Sequence, residues 1–100
     1  MTTSIQEIDG KLVASLSGEL DTAAAPETEK ALQPLLESQG KDIVIDCTEL
    51  EYIASSGLRI FLSILKKAKE AGSRVVLKNV NDVIKDVLDL TGFISIFELE

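Results

Sequence analysis

The sequence predicts a single compact α/β domain whose mixed, mostly parallel sheet is packed with helices in the order ββαβαβαβ. Three observations lead to this class. The chain has 100 residues, which fits one domain spanning residues 1–100. Two alternating segments at its start are separated by Asp9 and Gly10, a pair typical of a tight type I′ hairpin. Apolar strand-like runs then alternate with helical segments, which favours parallel strands joined by right-handed crossovers.

The individual elements follow from hydrophobic periodicity, glycines, prolines and capping residues. Segments 4–8 and 11–18 form the hairpin, with Leu12, Ala14 and Leu16 on one face. A helix is expected over 20–38, with Pro26 in its first turn and Pro34 kinking or ending it nearby. The other expected elements are a buried strand over 42–47, a helix over 57–71, a strand over 74–77, a helix over 82–90 and a strand over 93–99. Asn81 is expected to cap the helix over 82–90, whose inner face would consist of Val83, Ile84, Val87 and Leu88.

The composition excludes several classes of function. The net charge of −7 argues against binding to nucleic acid or to anionic lipid and favours a basic protein partner. The chain contains no histidine, so it cannot form a Ser–His–Asp set, a Cys–His set or a zinc site of the usual type. It also lacks the Gly-x-x-x-x-Gly-Lys loop of nucleotide-binding proteins. We therefore expect no enzymatic activity, no cofactor and no metal.

Cysteine usage and hydropathy suggest where the protein works. The single cysteine, Cys47, cannot form an intrachain disulfide, and its apolar neighbours favour a buried residue over a reactive thiol. The first ten residues lack the basic patch and apolar core of a signal peptide. No apolar run approaches the ~18 residues of a membrane span. These features predict a cytoplasmic protein without membrane insertion.

The helix over 57–71 carries an apolar arc of about 200°, roughly twice the width that an amphipathic surface helix needs. Ile60 and Ile64 lie on one flank of this arc, while Arg59 and Ser63 lie on the polar face. Two interpretations of the flank stay open. Ile60 and Ile64 can pack against a neighbouring helix, or they can form part of a docking surface for another protein. The central stripe consists of Leu58, Phe61, Leu62, Leu65 and Ala68.

Two serines, Ser55 and Ser56, precede Gly57 where this helix begins. One of them is expected to be the N-cap, whose hydroxyl accepts a hydrogen bond from the first turn and contributes about 1 kcal/mol. One cap explains only one hydroxyl. A helix N-terminus also attracts phosphate through its free N–H groups and its dipole, and Gly57 offers close backbone access there. The fold would therefore tolerate a phosphoserine here, and its effect would appear at an interface.

Four stretches of the chain resemble the STAS domain family, and in particular its bacterial anti-sigma factor antagonists. They are GELD at 18–21, DIVIDCT at 42–48, YIASSGLRIFL at 52–62 and LTGFISIFEL at 90–99. The resemblance covers nearly the whole chain. Its most specific part is the Ser-Ser-Gly helix start in a strand–loop–helix context.

The resemblance implies a phosphorylation switch. In this family the unphosphorylated antagonist binds an anti-sigma factor that is also a serine kinase, and the sigma factor is released. The kinase, which supplies the ATP, then phosphorylates the serine heading the helix, and the complex dissociates until a serine phosphatase resets it. Ser55 falls on the phosphorylated position, Ser56 is the second hydroxyl, and Ala54 replaces the usual Asp. Together with the flank of the helix described above, this gives the expected partner-binding residues: Asp21, Ser55, Ser56, Gly57, Arg59, Ile60, Ser63 and Ile64.

Two acidic residues, Asp21 and Asp46, match acidic positions of the family and are expected near one sheet edge, where they shape loops and caps. An alternative role also stays open. The chain could be a STAS subunit of another assembly, such as a lipid-transport ABC complex or a signalling complex, with the helix face as a permanent interface. Ala54 favours this alternative, in which Ser55 is structural. A weak homodimer is compatible with either role.

Overall fold

The computed structural model describes residues 1–100. Its elements are β1 (Thr2–Ile8), β2 (Lys11–Leu20), α1 (Ala25–Ala31), α2 (Gln33–Leu36), β3 (Ile43–Ile53), α3 (Ser55–Glu70), β4 (Val75–Lys78), α4 (Asp82–Leu90), a 3₁₀ turn (Phe93–Ser95) and β5 (Glu98–Leu99). The five strands lie in the order β1-β2-β3-β4-β5. β1 pairs antiparallel with β2, and every other pair is parallel. The predicted mixed, mostly parallel α/β sheet is confirmed.

One apolar core lies between the sheet and the helices. A single cluster of 22 buried residues draws side chains from β2, β3 and β4 and from all the α-helices. Ala14, Ile45 and Leu77 are paired in register across these strands and have no exposed surface. Helices that contribute to one such cluster must cover the same face of the sheet, as successive right-handed crossovers in one direction require.

The reverse face of the sheet is only partly buried. Val13, Val44 and Val76 form the next row across β2, β3 and β4, and each is half-buried. The domain therefore has two layers, with one open sheet face. None of its helices combines the length and the apolar character that crossing a membrane requires.

The first hairpin agrees with the sequence. Asp9 and Gly10 both have positive φ, 51° and 78°, as a type I′ turn demands. Ile8 pairs with Lys11 directly across this turn. The register that follows places Ala14 and Leu16 in the core.

The predicted helix over 20–38 is wrong at its start and is divided in two. Leu20 ends β2 and is completely buried. The helical residues form α1 and α2, which are separated at Leu32 (φ −92°, ψ 2°). Pro34 lies in the first turn of α2. Backbone N–H groups in this turn have no acceptor within the helix, so the N–H that proline lacks costs no helical hydrogen bond. The predicted interruption near Pro34 is confirmed.

β3 continues well beyond the predicted strand over 42–47. The register between β2 and β3 shifts twice, between Ser15 and Ser17 and between Gly18 and Glu19. Gly18 has φ 108°, a conformation that favours glycine. These irregularities interrupt the alternation of period two, so the sequence pattern ended the strand too early. The fully buried residues of β3 are Ile43, Ile45, Cys47, Leu50 and Ile53.

The C-terminal strand predicted over 93–99 is wrong for most of its length. After α4 the chain turns at Gly92 (φ 77°), forms the 3₁₀ turn, and pairs with β4 only through β5. The turn allows Phe97 to enter the core, where it is 6% exposed. Its ring meets that of Phe61 edge to face, with centroids 6.5 Å apart and an interplanar angle of 73°. Burial of this aromatic side chain outweighs the strand propensity of the segment.

Cys47 is a free, completely buried residue, as the sequence predicts. Burial, reinforced by the neighbouring carboxylate of Asp46, raises the pKa of its thiol to about 12. The thiol is therefore protonated at neutral pH and behaves as a small apolar group.

The predicted helix over 82–90 and its cap are confirmed. Asn81 Oδ1 accepts the N–H of Ile84 at 2.9 Å, and Asn81 Nδ2 donates to the carbonyl oxygen of Leu50 at 2.9 Å. Ile84 and Leu88 are completely buried. The inward placement of Val83 is wrong, because the inner arc of the helix centres on Ile84 and Leu88 and leaves Val83 53% exposed.

Replacing Asn81 by Ala should lower the free energy of unfolding by about 1–2 kcal/mol, because it removes both the helix cap and the tie to β3. Urea titration monitored by circular dichroism measures this change. Asn81→Asp is the matched control, since it keeps the acceptor and loses only the donor to Leu50. Equal losses in the two variants would contradict the capping role.

Candidate functional site

The site begins where β2 and β3 end side by side. Leu20 pairs with Ile53, and the N–H of Ala54 donates to the carbonyl oxygen of Leu20 at 2.9 Å. From this pair, one chain segment turns through Asp21 toward α1, while the other enters α3 directly. The turn after β2 and the N-terminus of α3 are thereby brought together.

The N-cap of α3 is Ala54, so the expectation that Ser55 or Ser56 caps this helix is wrong. Ala54 has the extended conformation of an N-cap (φ −88°, ψ 170°), but no side chain caps the helix. The first helical hydrogen bond runs from the N–H of Leu58 to the carbonyl oxygen of Ala54 at 3.0 Å. The N–H groups of Ser55, Ser56 and Gly57 precede this bond and have no capping acceptor.

The two serines occupy different environments. Ser55 is exposed at the first helical position. Ser56 is half-buried, and its Oγ atom is buried without a hydrogen-bond partner. A kinase could therefore reach the hydroxyl of Ser55 without disturbing the core, whereas that of Ser56 faces inward.

Gly57 is buried for a packing reason. A Cβ atom at this position would lie 2.7 Å from Cγ of Leu20 and 2.8 Å from Cγ1 of Ile53. Both neighbouring side chains are almost completely buried and have little room to move. Gly57 therefore lets the first turn of α3 rest directly on the ends of β2 and β3, and it supports the surface from beneath.

A cleft of about 380 Å³ separates α1 from the N-terminal half of α3. Arg59 and Ser63 are exposed on its α3 side, and Ser63 Oγ donates to the carbonyl oxygen of Arg59 at 3.1 Å. Glu29 faces them from α1, and Arg59 forms no ion pair in this structure. The lining residues are Thr22, Ala25, Pro26, Glu29, Ser56, Arg59, Ile60 and Ser63.

Ile60 and Ile64 belong to the core, with 6% and 1% of their surface exposed. They also border a smaller hollow of about 110 Å³, together with Leu32 and Leu36 from the other side. Packing of α3 against α1 and α2 accounts for their burial. This geometry favours the packing interpretation and leaves Arg59 and Ser63 as the outward side chains.

An acidic hollow lies on the other side of the Leu20–Ile53 pair. Glu19, Asp21, Glu27 and Glu51 line this open depression of about 540 Å³, together with Met1, Ala23 and Ala24. Asp21 Oδ1 accepts the N–H of Ala24 at 2.8 Å, which fixes the turn into α1. Asp21 therefore shapes the loop and adds negative charge beside the site.

Asp46 does not share this location. It is paired with Ser15 in β2 and Lys78 in β4, far along β3 from the Leu20–Ile53 pair. A hydrogen bond from the Thr48 hydroxyl lowers the pKa of the Asp46 carboxyl, and the Thr48 N–H donates to the same Oδ1 atom at 3.0 Å. The prediction that Asp21 and Asp46 lie near one sheet edge is wrong. Asp46 lies beside the last residue of β4, but β3 continues past it to Ile53, and Asp21 follows the strand that pairs with Ile53.

Comparison with known proteins identifies the family. The sequence model of the STAS domain matches residues 2–100. The chain belongs to the STAS family. BtrV of Bordetella bronchiseptica, whose name gives it as a candidate anti-sigma factor antagonist, is 32% identical over 97 residues, covering 97% of this chain and 84% of its own.

Solved STAS structures agree with the fold. An anti-sigma factor antagonist from Mycobacterium paratuberculosis has a TM-score of 0.83 at 33% identity, with 98% of this chain and 83% of its own covered. The Bacillus protein SpoIIAA has been solved unphosphorylated and phosphorylated, with TM-scores of 0.81 and 0.74 at 18% identity. These two alignments cover 99% of this chain and 88% and 91% of SpoIIAA. The relatives of this STAS domain that are about 30% identical or more are thus named as anti-sigma factor antagonists.

The structure brings most of the sequence-derived site residues to one end of the domain. Asp21 and the first turns of α3 meet there, although Gly57 and Ile64 lie beneath the surface. The α1 side of the cleft, with Pro26 and Glu29, was missed because the helix was expected to begin at residue 20. Pro26 does mark the first turn of this helix, as the sequence predicts, but no local pattern places that turn against α3.

Replacing Ala54 by Ser should raise the free energy of unfolding by about 1 kcal/mol, because the backbone already has N-cap geometry and lacks only the acceptor. Ala54→Asp should stabilise at least as much through the helix dipole. Urea titration at low salt measures both variants, and Ala54→Val serves as a control without an acceptor. Stability gains that are equal in the Val and Ser variants would show that burial, and not capping, is responsible.

Replacing Gly57 by Ala should lower the free energy of unfolding by about 1 kcal/mol or more. Overpacking against Leu20 and Ile53 costs about 1–3 kcal/mol, whereas higher helix propensity returns at most about 1 kcal/mol. Thermal unfolding compares this variant with Ser63→Ala, an exposed substitution on the same helix. A stabilised Gly57→Ala protein would mean that the neighbouring side chains yield without strain.

Proposed function

We propose that this STAS domain is an anti-sigma factor antagonist switched by phosphorylation of Ser55. In its unmodified form it binds an anti-sigma factor that is also a serine kinase, and the sigma factor is released. The kinase transfers the terminal phosphoryl group of its own ATP to Ser55, the complex dissociates, and a serine phosphatase restores the hydroxyl. The observation that carries this proposal is the exposure of Ser55 at the first position of α3, in a chain whose relatives bear this name.

The local structure is suited to a phosphate on Ser55. The N–H groups of the first turn have no capping acceptor because Ala54 supplies none. Free N–H groups and the positive end of the helix dipole both stabilise an anion here. Ser55 points into solvent, so the modification leaves the core unchanged. The solved phosphorylated form of SpoIIAA supports the compatibility of phosphorylation with this fold.

The change in charge explains how the complex would dissociate. Phosphorylation takes the net charge from −7 to about −9. The added charge lies close to the acidic hollow, where Glu19, Asp21 and Glu51 already concentrate negative charge. Burying the phosphate against the partner without a new counter-charge would make the free energy of binding several kcal/mol less favourable. A loss of about 4 kcal/mol is enough to weaken binding a thousandfold.

The partner surface consists of the exposed side chains around Ser55. Arg59 of α3 and Glu29 of α1 offer charges without an ion-pair partner at the rim of the cleft, and Ser63 is exposed beside them. Asp21 and its acidic neighbours match a basic partner surface on the other side. Ile60 and Ile64 hold α3 in position beneath this surface.

Ser55→Ala should retain partner binding and trap the complex, whereas Ser55→Asp should weaken it. We would measure recovery of the serine-kinase anti-sigma factor by the two proteins used as paired baits in lysate of the source cells. Mass spectrometry would identify the partner and the phosphorylated residue of the wild-type chain. Ser4→Asp is the matched control, because it adds the same charge to an exposed serine on the edge strand β1.

Each outcome of this comparison has a defined meaning. Recovery by the alanine bait and the Ser4→Asp bait, but not by Ser55→Asp, supports the switch. Equal recovery of one partner by all baits, especially a transporter ATPase, would identify a permanent interface and a different STAS assembly. Unfolding of Ser55→Asp would show that the serine is structural and would refute the proposal.

A further inference from the structure

Helix α4 exposes an apolar stripe beside its core-facing side, and only the middle residue of the stripe, Val87, also packs against the core. Val83 is 53% exposed and Leu90 is 87% exposed, the highest value among the large apolar residues. Val87 lies between them and is half-buried. Spacings of four and three residues place the three side chains on one side of the helix. This stripe is distinct from the inner face, which consists of Ile84 and Leu88.

An acidic stripe runs beside the apolar one. Asp82, Asp86 and Asp89 have the same helical spacing, and all of them are exposed. They take part in none of the ion pairs of the domain. The only basic residue of the helix, Lys85, lies beyond them on the side away from the apolar stripe. The exposed face of α4 thus combines contiguous apolar surface with uncompensated negative charge.

We propose that this face of α4 binds an amphipathic segment of another protein, with apolar residues on one side and lysine or arginine beside them. The apolar stripe supplies the contact area, and the aspartates select for a basic flank. A second copy of this chain does not fit the same chemistry. Two α4 faces in contact would bring their aspartates together, and each domain carries a net charge of −7.

The α4 face is separate from the surface around Ser55. α4 packs against β3 and the 3₁₀ turn, whereas α3 packs against α1 and α2. The cleft beside Ser56 is lined only by residues from α1, α3 and the loop before α1. The α4 face and the cleft therefore share no residue. This inference does not depend on the proposed role of Ser55.

A displayed library of random 16-residue peptides tests the proposal, with the full chain as the target. Peptides that bind the α4 face should combine helically spaced apolar residues with lysine or arginine. Their affinity should fall at least about tenfold for Leu90→Ser, because a buried leucine contributes that much or more. Ile8→Ser is the matched control, since Ile8 is 46% exposed on β1 and should leave binding unchanged. Thermal unfolding of Leu90→Ser should match wild type, because the side chain is exposed.

Two further measurements distinguish binding at the α4 face from binding at the α3 surface and from self-association. Affinity for the selected peptides should be the same in Ser55→Asp and wild type and should decrease with salt. Loss of binding in Ser55→Asp would assign the peptides to the α3 surface and overturn the proposal. Failure to select any Leu90-dependent basic peptide would also overturn it. So would a dimer, detected by sedimentation, that Leu90→Ser abolishes, because the occupant would then be a second copy.

Discussion

The close contact of Gly57 with Leu20 and Ile53 holds the functional end of this domain together. It seats the first turn of the longest helix directly on the side chains that end two parallel strands, because Gly57 has no side chain of its own to hold them apart. The hydrogen bond from Ala54 to Leu20 fixes the same junction through the backbone. The direction of α3, the position of Ser55 and the width of the cleft against α1 all depend on it.

From this junction, α3 divides its residues between support and surface. Leu58, Phe61, Ile64 and Leu65 extend into the core on the covered side of the sheet. Ser55, Arg59 and Ser63 face outward at intervals of four residues. A charge added to the outer set can therefore alter binding without changing the packing that defines the fold. The two-layer architecture assists this separation, because every helix keeps one face in the core and one in solvent.

The sequence predicts the fold class, the hairpin and the cap of α4 because each depends on local chemistry. Asp9 and Gly10 form their turn by conformational preference, and Asn81 caps its helix through its own side chain. The errors occur where tertiary packing prevails. β3 continues through irregular register that breaks the alternation, and Phe97 enters the core at the expense of a regular last strand. The burial of Gly57 is also not visible in the sequence, because Leu20, which crowds it together with Ile53, belongs to a strand that is distant along the chain.

The position of the serines at the start of α3 was predicted correctly, but their capping role was not. A pattern of two hydroxyls before a glycine suggests a cap, and only the backbone angles show that the helix begins at Ser55, with Ala54 as its N-cap. Sequence similarity identifies the family, and the proposal places the modification on Ser55. Successive residues of a helix point in directions about 100° apart, so Ser55 and Ser56 face different surroundings. The burial of Gly57 fixes the rotation of α3 about its axis, and this rotation leaves Ser55 exposed and turns Ser56 inward.

The missing cap on α3 has a consequence for motion. The free energy of local opening is lowest where a segment lacks buried contacts and internal hydrogen bonds, and the turn at Ser55 lacks a capping acceptor and is exposed. Opening ends at Gly57 and Leu58, whose burial anchors the rest of the helix. The peptide around Ser55 can therefore leave the helix briefly while the domain stays folded. A modifying enzyme that requires an extended substrate would then meet one without having to unfold the protein.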